Sequence, residues 1–444
     1  MRALSFPSRS ARVVALTAMA MPLPALAQEA ATLNQANTAW IITATTLVLF
    51  MTLPGLALFY GGLVRSKNVL SLLMQCFAIT CLVSVLWLAG AYSMSFGDGG
   101  SLNAWWGGLD KAWLAGMTVQ SLTGDIPESV YAMFQLTFAI ITPALVIGGF
   151  AERVRFTGVV LFTIFWLLLV YAPLCHWVWG GGWLQKMGVL DFAGGTVVHI
   201  NAGVAALVAA LMLGRRKGFP TTQMPPHNMT MTFSGAAMLW VGWFGFNGGS
   251  ALAANGSAGM AILATHMGSA AGALAWMTME WIRHGKPSVL GIVTGMVAGL
   301  GTVTPASGFI GPMGGFLIGL TAGVVCYRAT QFVKQTLHID DSLDVFPVHG
   351  VGGILGTLLT GVFAVPALGG IGLPEGVTMA QQVGVQAIGV AVTIAWSAIG
   401  TFVVIKLSSL LIGDIRVNDD EETEGLDLSL HDEKGYNLME FGSR

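Results

Sequence analysis

The chain has 444 residues, of which 54% are hydrophobic and only 9% are charged. Soluble domains carry about 25% charged residues, so this composition predicts that most of the chain lies in lipid. The formal net charge of −2 excludes a strongly basic surface and with it a nucleic-acid partner. The four cysteines have no C-x-x-C spacing and lie in apolar runs, which predicts buried thiols at Cys76, Cys81, Cys175 and Cys326.

Residues 1–27 have the pattern of a secretory signal peptide. Three arginines precede an apolar run at 13–23, and a small-residue Ala-Leu-Ala motif follows at 25–27. A short first spanning helix is the alternative, but the run is too short and prolines interrupt its end. We therefore expect the mature chain to begin after residue 27.

Apolar runs of about 20 residues, the length that crosses a bilayer, fill most of a transmembrane domain at 28–412. A tail with ten acidic residues follows at 413–444, and its composition predicts disorder. Eleven spans are predicted, near 38–62, 69–96, 130–150, 156–178, 193–213, 229–248, 259–282, 288–304, 309–329, 349–366 and 382–412.

The basic residues between these spans predict how the chain is oriented. When the loops are assigned alternately to the two sides, one side receives eleven lysines and arginines and the other only Lys111 and Lys186. Basic loops face the cytoplasm. The mature N-terminus is therefore predicted outside and the acidic tail in the cytoplasm, which a cleaved signal peptide also requires.

Two related segments carry an acid and a histidine. The first acid–histidine segment, 191–203, reads D-F-A-G-G-T-V-V-H-I-N-A-G, and the second, 341–353, reads D-S-L-D-V-F-P-V-H-G-V-G-G. They align without a gap and fall in the fifth and tenth spans. Two five-helix halves in one chain enter the membrane in opposite directions, as in many transporters. The predicted fold is an all-α polytopic membrane protein with inverted repeats at about 38–213 and 229–366, plus the final helix at 382–412.

The two histidines, His199 and His349, admit three interpretations. A single histidine on an apolar helix is commonly a core residue that hydrogen bonds to a neighbour. Matching positions in an inverted repeat would instead bring the two imidazoles together near the midplane, where they could share an N–H···N bond beside a small polar solute. A metal site lacks a third ligand, because no Cys, Asp or Glu lies within a helical turn of either histidine.

Several aromatic residues and one serine fall near the predicted outer ends of their spans. The interfacial aromatic belt accounts for Trp105, Trp106, Trp113 and Trp177. A pocket of aromatic faces with a hydroxyl group would instead hold a small cation, at roughly 0.5–2 kcal/mol per ring. Spacing does not choose between these interpretations for Trp179, Phe134, Phe138, Trp243, Phe246 and Ser250.

Acidic residues outside the tail have simpler interpretations. Asp191 begins its helix, so its carboxylate is predicted to cap backbone N–H groups rather than to bind a ligand directly. Asp98, Asp110, Asp125 and Glu128 are interpreted as solvated charges of the long loop before the third span.

With these motifs, residues from about 36 to the end resemble the Amt/Mep/Rh family of ammonium transporters, in its bacterial Amt form. Besides the two acid–histidine segments, the resemblance depends on three blocks in the expected order. These blocks read G-L-A-L-F-Y-G-G-L-V-R, A-E-R-V-R-F and G-W-F-G-F-N-G-G-S.

The resemblance implies roles for individual residues. Trp179, Phe134 and Ser250 would form the outer cation site, with Trp243 beside it and Asp191 supporting it. Phe138 and Phe246 would be a stacked gate, and His199 and His349 the pore pair. The family's subunits have eleven helices and form a homotrimer with one pore each. Its cytoplasmic end, which the E-G-L-D of this tail resembles, packs under the trimer and helps a PII-family signalling protein dock.

Together these points predict a transporter in the bacterial cytoplasmic membrane, not an enzyme, with ammonium and ammonia as substrate and no cofactor or metal. An aromatic site recruits NH4+, and the dry pore disfavours its charged form, since burial lowers an amine pKa by up to about 3–5 units. Ammonia then passes the imidazoles. An ammonium sensor, a membrane metalloenzyme and a neutral-solute channel are the alternatives; sensor members usually append a larger cytoplasmic domain.

Overall fold

The computed structural model describes residues 32–437, so the predicted signal peptide lies outside the described residues. Within 32–437, nine helices are long and apolar enough to cross a membrane. They are Gln35–Leu63, Ser66–Phe96, Glu128–Phe150, Phe156–Met187, Gly195–Leu213, Gly256–His284, Pro312–Thr336, Phe346–Phe363 and Met379–Ile412.

The two other predicted spans also form helices. Met229–Gly249 has 21 residues but contains many Gly, Thr and Trp residues, which lower its hydropathy. Val289–Val303 is apolar but only 15 residues long. The described part of the chain is therefore a predominantly helical membrane protein, with a helix at every predicted span.

The long connection before Glu128–Phe150 carries the only strands of residues 32–437. Leu122–Thr123 and Ile126–Pro127 form an antiparallel hairpin in which Leu122 lies opposite Pro127 and Thr123 opposite Ile126. One-turn helices precede it at Gly100–Leu102 and Ala112–Leu114. We name this end of the helix bundle, where Trp179 also lies, the aromatic face.

The opposite end, the basic face, is held together by a buried ionic cluster. Arg216 donates to Asp340 at 2.8 Å and to Glu152 at 3.1 Å, and Arg65 bonds the same Glu152 at 2.7 Å. Burial alone would raise the pKa of Glu152, but the two guanidinium groups hold it below its ordinary value. Because the cluster joins loops that follow different helices, it fixes how those helices end relative to one another.

Three expectations about individual side chains were wrong. Cys81 is exposed rather than buried, because its side of the helix faces away from the bundle. Glu128 is only 7% exposed; it bonds Lys111 at 2.5 Å and accepts a hydrogen bond from Tyr92, so it is not a solvated loop charge. Trp177 is 5% exposed and packs on Trp396 with ring centroids 4.7 Å apart, so it belongs to the core.

The prediction of a disordered tail was also wrong for its described part. Helices Asp419–Glu424 and Leu426–His431 form there, and the side chains of Glu422 and Asp427 are buried. Glu422 accepts a hydrogen bond from the Lys217 backbone at 2.6 Å, and Asp427 accepts one from the Ser71 backbone at 2.7 Å. The acidic residues were misleading because several of them bond the basic face instead of solvent.

Candidate functional site

The first acid–histidine segment is organised by the carboxylate of Asp191. Its Oδ1 accepts hydrogen bonds from the backbone N–H groups of Gly194 and Gly195, at 2.8 and 2.6 Å. Its Oδ2 accepts from the Thr196 N–H and hydroxyl groups and from the Val197 N–H. Asp191 therefore satisfies the first turn of Gly195–Leu213, the His199 helix, whose unpaired N–H groups would otherwise be buried.

The second segment repeats this arrangement with fewer bonds. Asp341 Oδ2 accepts from the Phe346 N–H at 2.7 Å, at the start of Phe346–Phe363, the His349 helix. Asp341 Oδ1 is buried without a hydrogen-bond partner in the protein. Burial raises the pKa of this carboxyl group to about 6, and neighbouring Asp344 adds to the shift. Both histidines lie in a π-helical turn at the start of their helix, a feature frequent at functional sites.

The two helices bring the imidazoles into contact. Nδ1 of His349 lies 3.2 Å from Nδ1 of His199, and the ring planes are within 17° of each other. Both side chains are buried, with exposures of 1% and 4%. One nitrogen must donate to the other, so the pair shares a single N–H···N bond.

Glycines allow this contact because the backbones of the two helices nearly touch. A Cβ atom at Gly203 would lie 2.3 Å from the N and Cα atoms of Gly350. On the other side of the crossing, a Cβ atom at Gly353 would lie 3.0 Å from Ile200. Gly203 aligns with Gly353 and Ile200 with Gly350, so the two contacts correspond across the repeated segments.

Closely packed aromatic rings cover the pair towards the aromatic face. The Phe138 and Phe246 ring centroids are 4.3 Å apart, and Phe138 also packs edge-on against Phe134 at 5.0 Å and Trp179 at 5.7 Å. Phe134, Phe138 and Phe246 are almost fully buried, whereas Trp179 and Ser250 are partly exposed. These five residues form one continuous group, because the Phe134 ring lies against Gly249, next to Ser250.

The structure separates Trp243 from this outer group. Trp243 stacks on His199 with ring centroids 5.5 Å apart, and its Nε1 donates to Thr304 Oγ1 at 2.8 Å. It therefore lies below Phe246, beside the histidine pair, and not with Trp179. The spacing within G-W-F-G-F-N-G-G-S explains this, since Trp243 and Ser250 are two helical turns apart.

Two cavities meet at the histidine pair. A narrow one between Phe246 and His349 has a free volume of about 10 Å³, near the smallest that holds one water molecule. A wider one, of about 220 Å³, extends from His349 to polar residues of the basic face, among them Lys334 and Asp344. Phe59, Val297 and His349 line both cavities, so the two spaces are adjacent.

Asp191 touches the outer group through its backbone and not through its carboxylate. Its carbonyl oxygen accepts the Trp179 Nε1–H at 2.9 Å, while five donors from its own segment occupy its side-chain oxygens. It therefore supports the site as a capping and anchoring residue. Among residues 32–437, no group of three or more His, Cys, Asp and Glu side chains is placed to hold a metal ion.

Two further polar residues near this site, His176 and Gln386, belong to none of the sequence motifs and were not predicted. His176 places its ring nitrogens 3.0 Å from the Ser95 carbonyl and 2.7 Å from the Asn103 carbonyl, one helical turn before Trp179. Gln386 bonds both backbone groups of Leu190. The signal that could have found them is a polar side chain inside an apolar span, which is costly unless it has partners.

Comparison with known proteins identifies the family of the chain. The model of the Ammonium Transporter Family matches residues 39–436. An ammonium transporter of Aquifex aeolicus is 48% identical over 413 residues, covering 92% of this chain and 95% of the relative. One of Bacillus subtilis is 44% identical over 408 residues, covering 91% and 99%. A solved structure titled "Sensor Amt Protein" superposes with a TM-score of 0.82 at 31% identity, covering 88% of this chain and 97% of the other. The chain belongs to the ammonium transporter family.

Proposed function

We propose that the protein takes up ammonium across the bacterial cytoplasmic membrane. NH4+ is recruited at the partly exposed group of Trp179, Phe134 and Ser250 and gives its proton there to solvent water. It crosses as NH3, which takes up a proton from water on the cytoplasmic side. The observation that carries this proposal is the histidine pair, buried between a 10 Å³ cavity beneath the packed Phe138 and Phe246 rings and a 220 Å³ cavity that reaches the basic face. The narrow cavity is too small and too apolar to hydrate a bare ion, whereas ammonia can exchange hydrogen bonds with the imidazoles.

The outer group suits a small cation by chemistry. The faces of Trp179 and Phe134 attract positive charge, and the Ser250 hydroxyl has acceptor capacity beyond the bond it donates to the Phe246 carbonyl. Below them, Phe138 and Phe246 close the path and would have to move for passage. Trp243 acts at the histidine pair in this proposal, and Asp191 holds Trp179 and caps the His199 helix.

We also propose the family's architecture for this chain: eleven spanning helices, two inverted five-helix halves, and a homotrimer. His266 supports the trimer. It lies mid-helix in Gly256–His284 but is exposed, with its ring 5.3 Å from that of Trp240. An imidazole facing lipid at this depth is costly, and a second copy of the chain would cover it. The basic face is the cytoplasmic one and would receive a PII-family protein beside the docked tail.

Transport is preferred over the alternative of sensing because the curated relatives at 44–48% identity are named ammonium transporters, and the two cavities are adjacent at the histidine pair. The test is a current and flux measurement on reconstituted protein during an ammonium pulse, with K+ as the competing ion. The His199→Ala/His349→Ala double variant should lose ammonium conduction or its selectivity against K+. His338→Asn, an exposed histidine outside the spans, is the control. Unchanged flux and selectivity in the double variant would remove the proposed role of the pair.

A further inference from the structure

Two glutamines on the final helix, Met379–Ile412, lie where an apolar residue would be expected. Gln382 and Gln386 are 2% and 0% exposed, one helical turn apart. Uncompensated amides in a membrane-spanning segment are expensive. Their partners should therefore show why they are there.

Gln386 uses the whole hydrogen-bonding capacity of its amide. Its Oε1 accepts from the Leu190 N–H at 2.8 Å and from Gln382 Nε2 at 3.1 Å. Its Nε2 donates to the Leu190 carbonyl at 2.7 Å and to the Thr357 carbonyl at 3.0 Å. An amide has two donors and two acceptor lone pairs, so all four are satisfied. Leu190 is hydrogen-bonded at both its backbone N–H and its carbonyl group.

The bonded segment is the one that carries the outer site. Leu190 immediately precedes Asp191, whose carbonyl oxygen receives the Trp179 Nε1–H and whose carboxylate caps the His199 helix. Thr357 belongs to the His349 helix. Gln382 extends the contact by donating to the Gly188 carbonyl at 2.9 Å. One side chain thus joins the Trp179 anchor to both histidine-bearing helices.

We propose that Gln386 is a positioning residue that sets the geometry of the outer ammonium site and so the concentration at which transport half-saturates. The inference rests on the proposed function. Gln386 touches no substrate; it acts by fixing residue 190, and through Asp191 the orientation of the Trp179 ring. Cation–aromatic attraction depends on the ion lying over the ring face, so a tilt of Trp179 weakens binding without closing the pore.

The experiment measures initial ammonium flux against concentration in proteoliposomes containing the full chain. Gln386→Met keeps the length of the side chain and removes the amide. We expect its half-saturating concentration to rise roughly tenfold, which corresponds to about 1.4 kcal/mol of lost cation–aromatic attraction, with a much smaller change in maximal flux. The matched control is Thr393→Val, two turns along the same helix, which removes a buried hydroxyl bonded only to the Gly389 carbonyl.

Two reference variants separate the outcomes. Trp179→Leu should itself raise the half-saturating concentration; if it does not, the outer site of the proposed function fails, whatever Gln386 does. If Trp179→Leu raises it and Gln386→Met does not, or if only maximal flux falls, the positioning role is overturned and the proposed function stands. An equal rise in Thr393→Val would also overturn it. Should Gln386→Met yield no folded protein, Gln386→Asn, one methylene shorter with its amide retained, is expected to give the same rise.

Discussion

The two acid–histidine segments have matching sequences but different surroundings. In the first, five donors saturate Asp191 and the histidine is walled by Trp243 and Phe246. In the second, Asp341 keeps one oxygen without a partner and the histidine opens onto a 220 Å³ cavity. The repeated motif therefore specifies the capped turn and the imidazole, whereas neighbouring helices decide which histidine is enclosed by aromatic rings and which borders the wide cavity.

The largest difference in stability between variants of the two segments is expected at their last glycines. Gly203→Ala would place a methyl group 2.3 Å from backbone atoms of Gly350, which can yield only if the helices separate. Gly353→Ala meets atoms at 3.0 Å, two of them in side chains. We expect the free energy of unfolding to fall by about 3 kcal/mol or more in Gly203→Ala and by about 1 kcal/mol in Gly353→Ala. Thermal unfolding of the purified variants, with ammonium flux beside it, measures both; equal losses would contradict the close contact at Gly203.

Asparagine at the two acids gives the next comparison. In Asp191→Asn an amide NH2 group must face at least two of the donors that now bond a carboxylate oxygen. Each buried donor left without an acceptor costs about 1–3 kcal/mol, so flux and the thermal midpoint should both fall. Asp341→Asn can keep its bond from Phe346 and exchange one unpartnered polar atom for another, so no existing hydrogen bond is lost and the thermal midpoint should fall less than in Asp191→Asn. Comparable losses in both variants would mean that the second cap is as complete as the first.

The two single histidine-to-alanine variants should differ in ammonium flux, again with the larger loss in the first segment. His199→Ala removes a ring packed between Trp243 and its partner imidazole, and the space it leaves is walled by apolar and aromatic side chains and does not border the wide cavity. His349→Ala borders the wider cavity, where water can take over part of the lost contact. Ammonium flux should therefore fall several-fold further in His199→Ala. A larger loss in His349→Ala would show that the wide cavity does not supply water to the pair.

Local patterns in the sequence were sufficient for the helices and made the histidine contact one of three interpretations. The length of the apolar runs predicted the spans, and the ungapped alignment of the two segments raised the contact of His199 with His349 that the structure shows. The capping role of Asp191 followed from its position before a helix. These features depend on residues close together in the chain, or on a repeat that can be read directly.

What the sequence did not reveal depends on distant contacts. Trp243 was grouped with Trp179 because their spans end nearby, but the helical turn directs its ring to His199. The tail was predicted to be disordered from its charge, although Glu422 and Asp427 find donors more than 200 residues away along the chain. Gln386 carried no motif, and only its contact with Leu190 reveals its position.

The smallest expected effect is a pH dependence confined to the second segment. Burial, with the neighbouring Asp344 charge, raises the pKa of Asp341 to about 6, against about 3.9 for an unperturbed aspartate. The folded protein then binds a proton more tightly than the unfolded chain, so this group favours the fold below about pH 4 and loses that contribution as the pH rises through about 6. The thermal midpoint of Asp341→Asn minus that of the wild type should therefore increase over this range. Groups that titrate in both proteins cancel in the difference.

Asp344→Asn sharpens this measurement. It removes the charge that adds to the raised pKa of Asp341, and asparagine tolerates the left-handed backbone at this position, where φ is 61°. When Asp344→Asn is present in both proteins, the difference in thermal midpoint caused by Asp341→Asn should change over a lower and narrower pH range. The reason is that the pKa of Asp341 is then raised by less. If the difference between Asp341→Asn and the wild type stays flat from pH 4 to 7, water or a lipid headgroup solvates the unpartnered oxygen. The second segment would then differ from the first in its contacts but not in its titration.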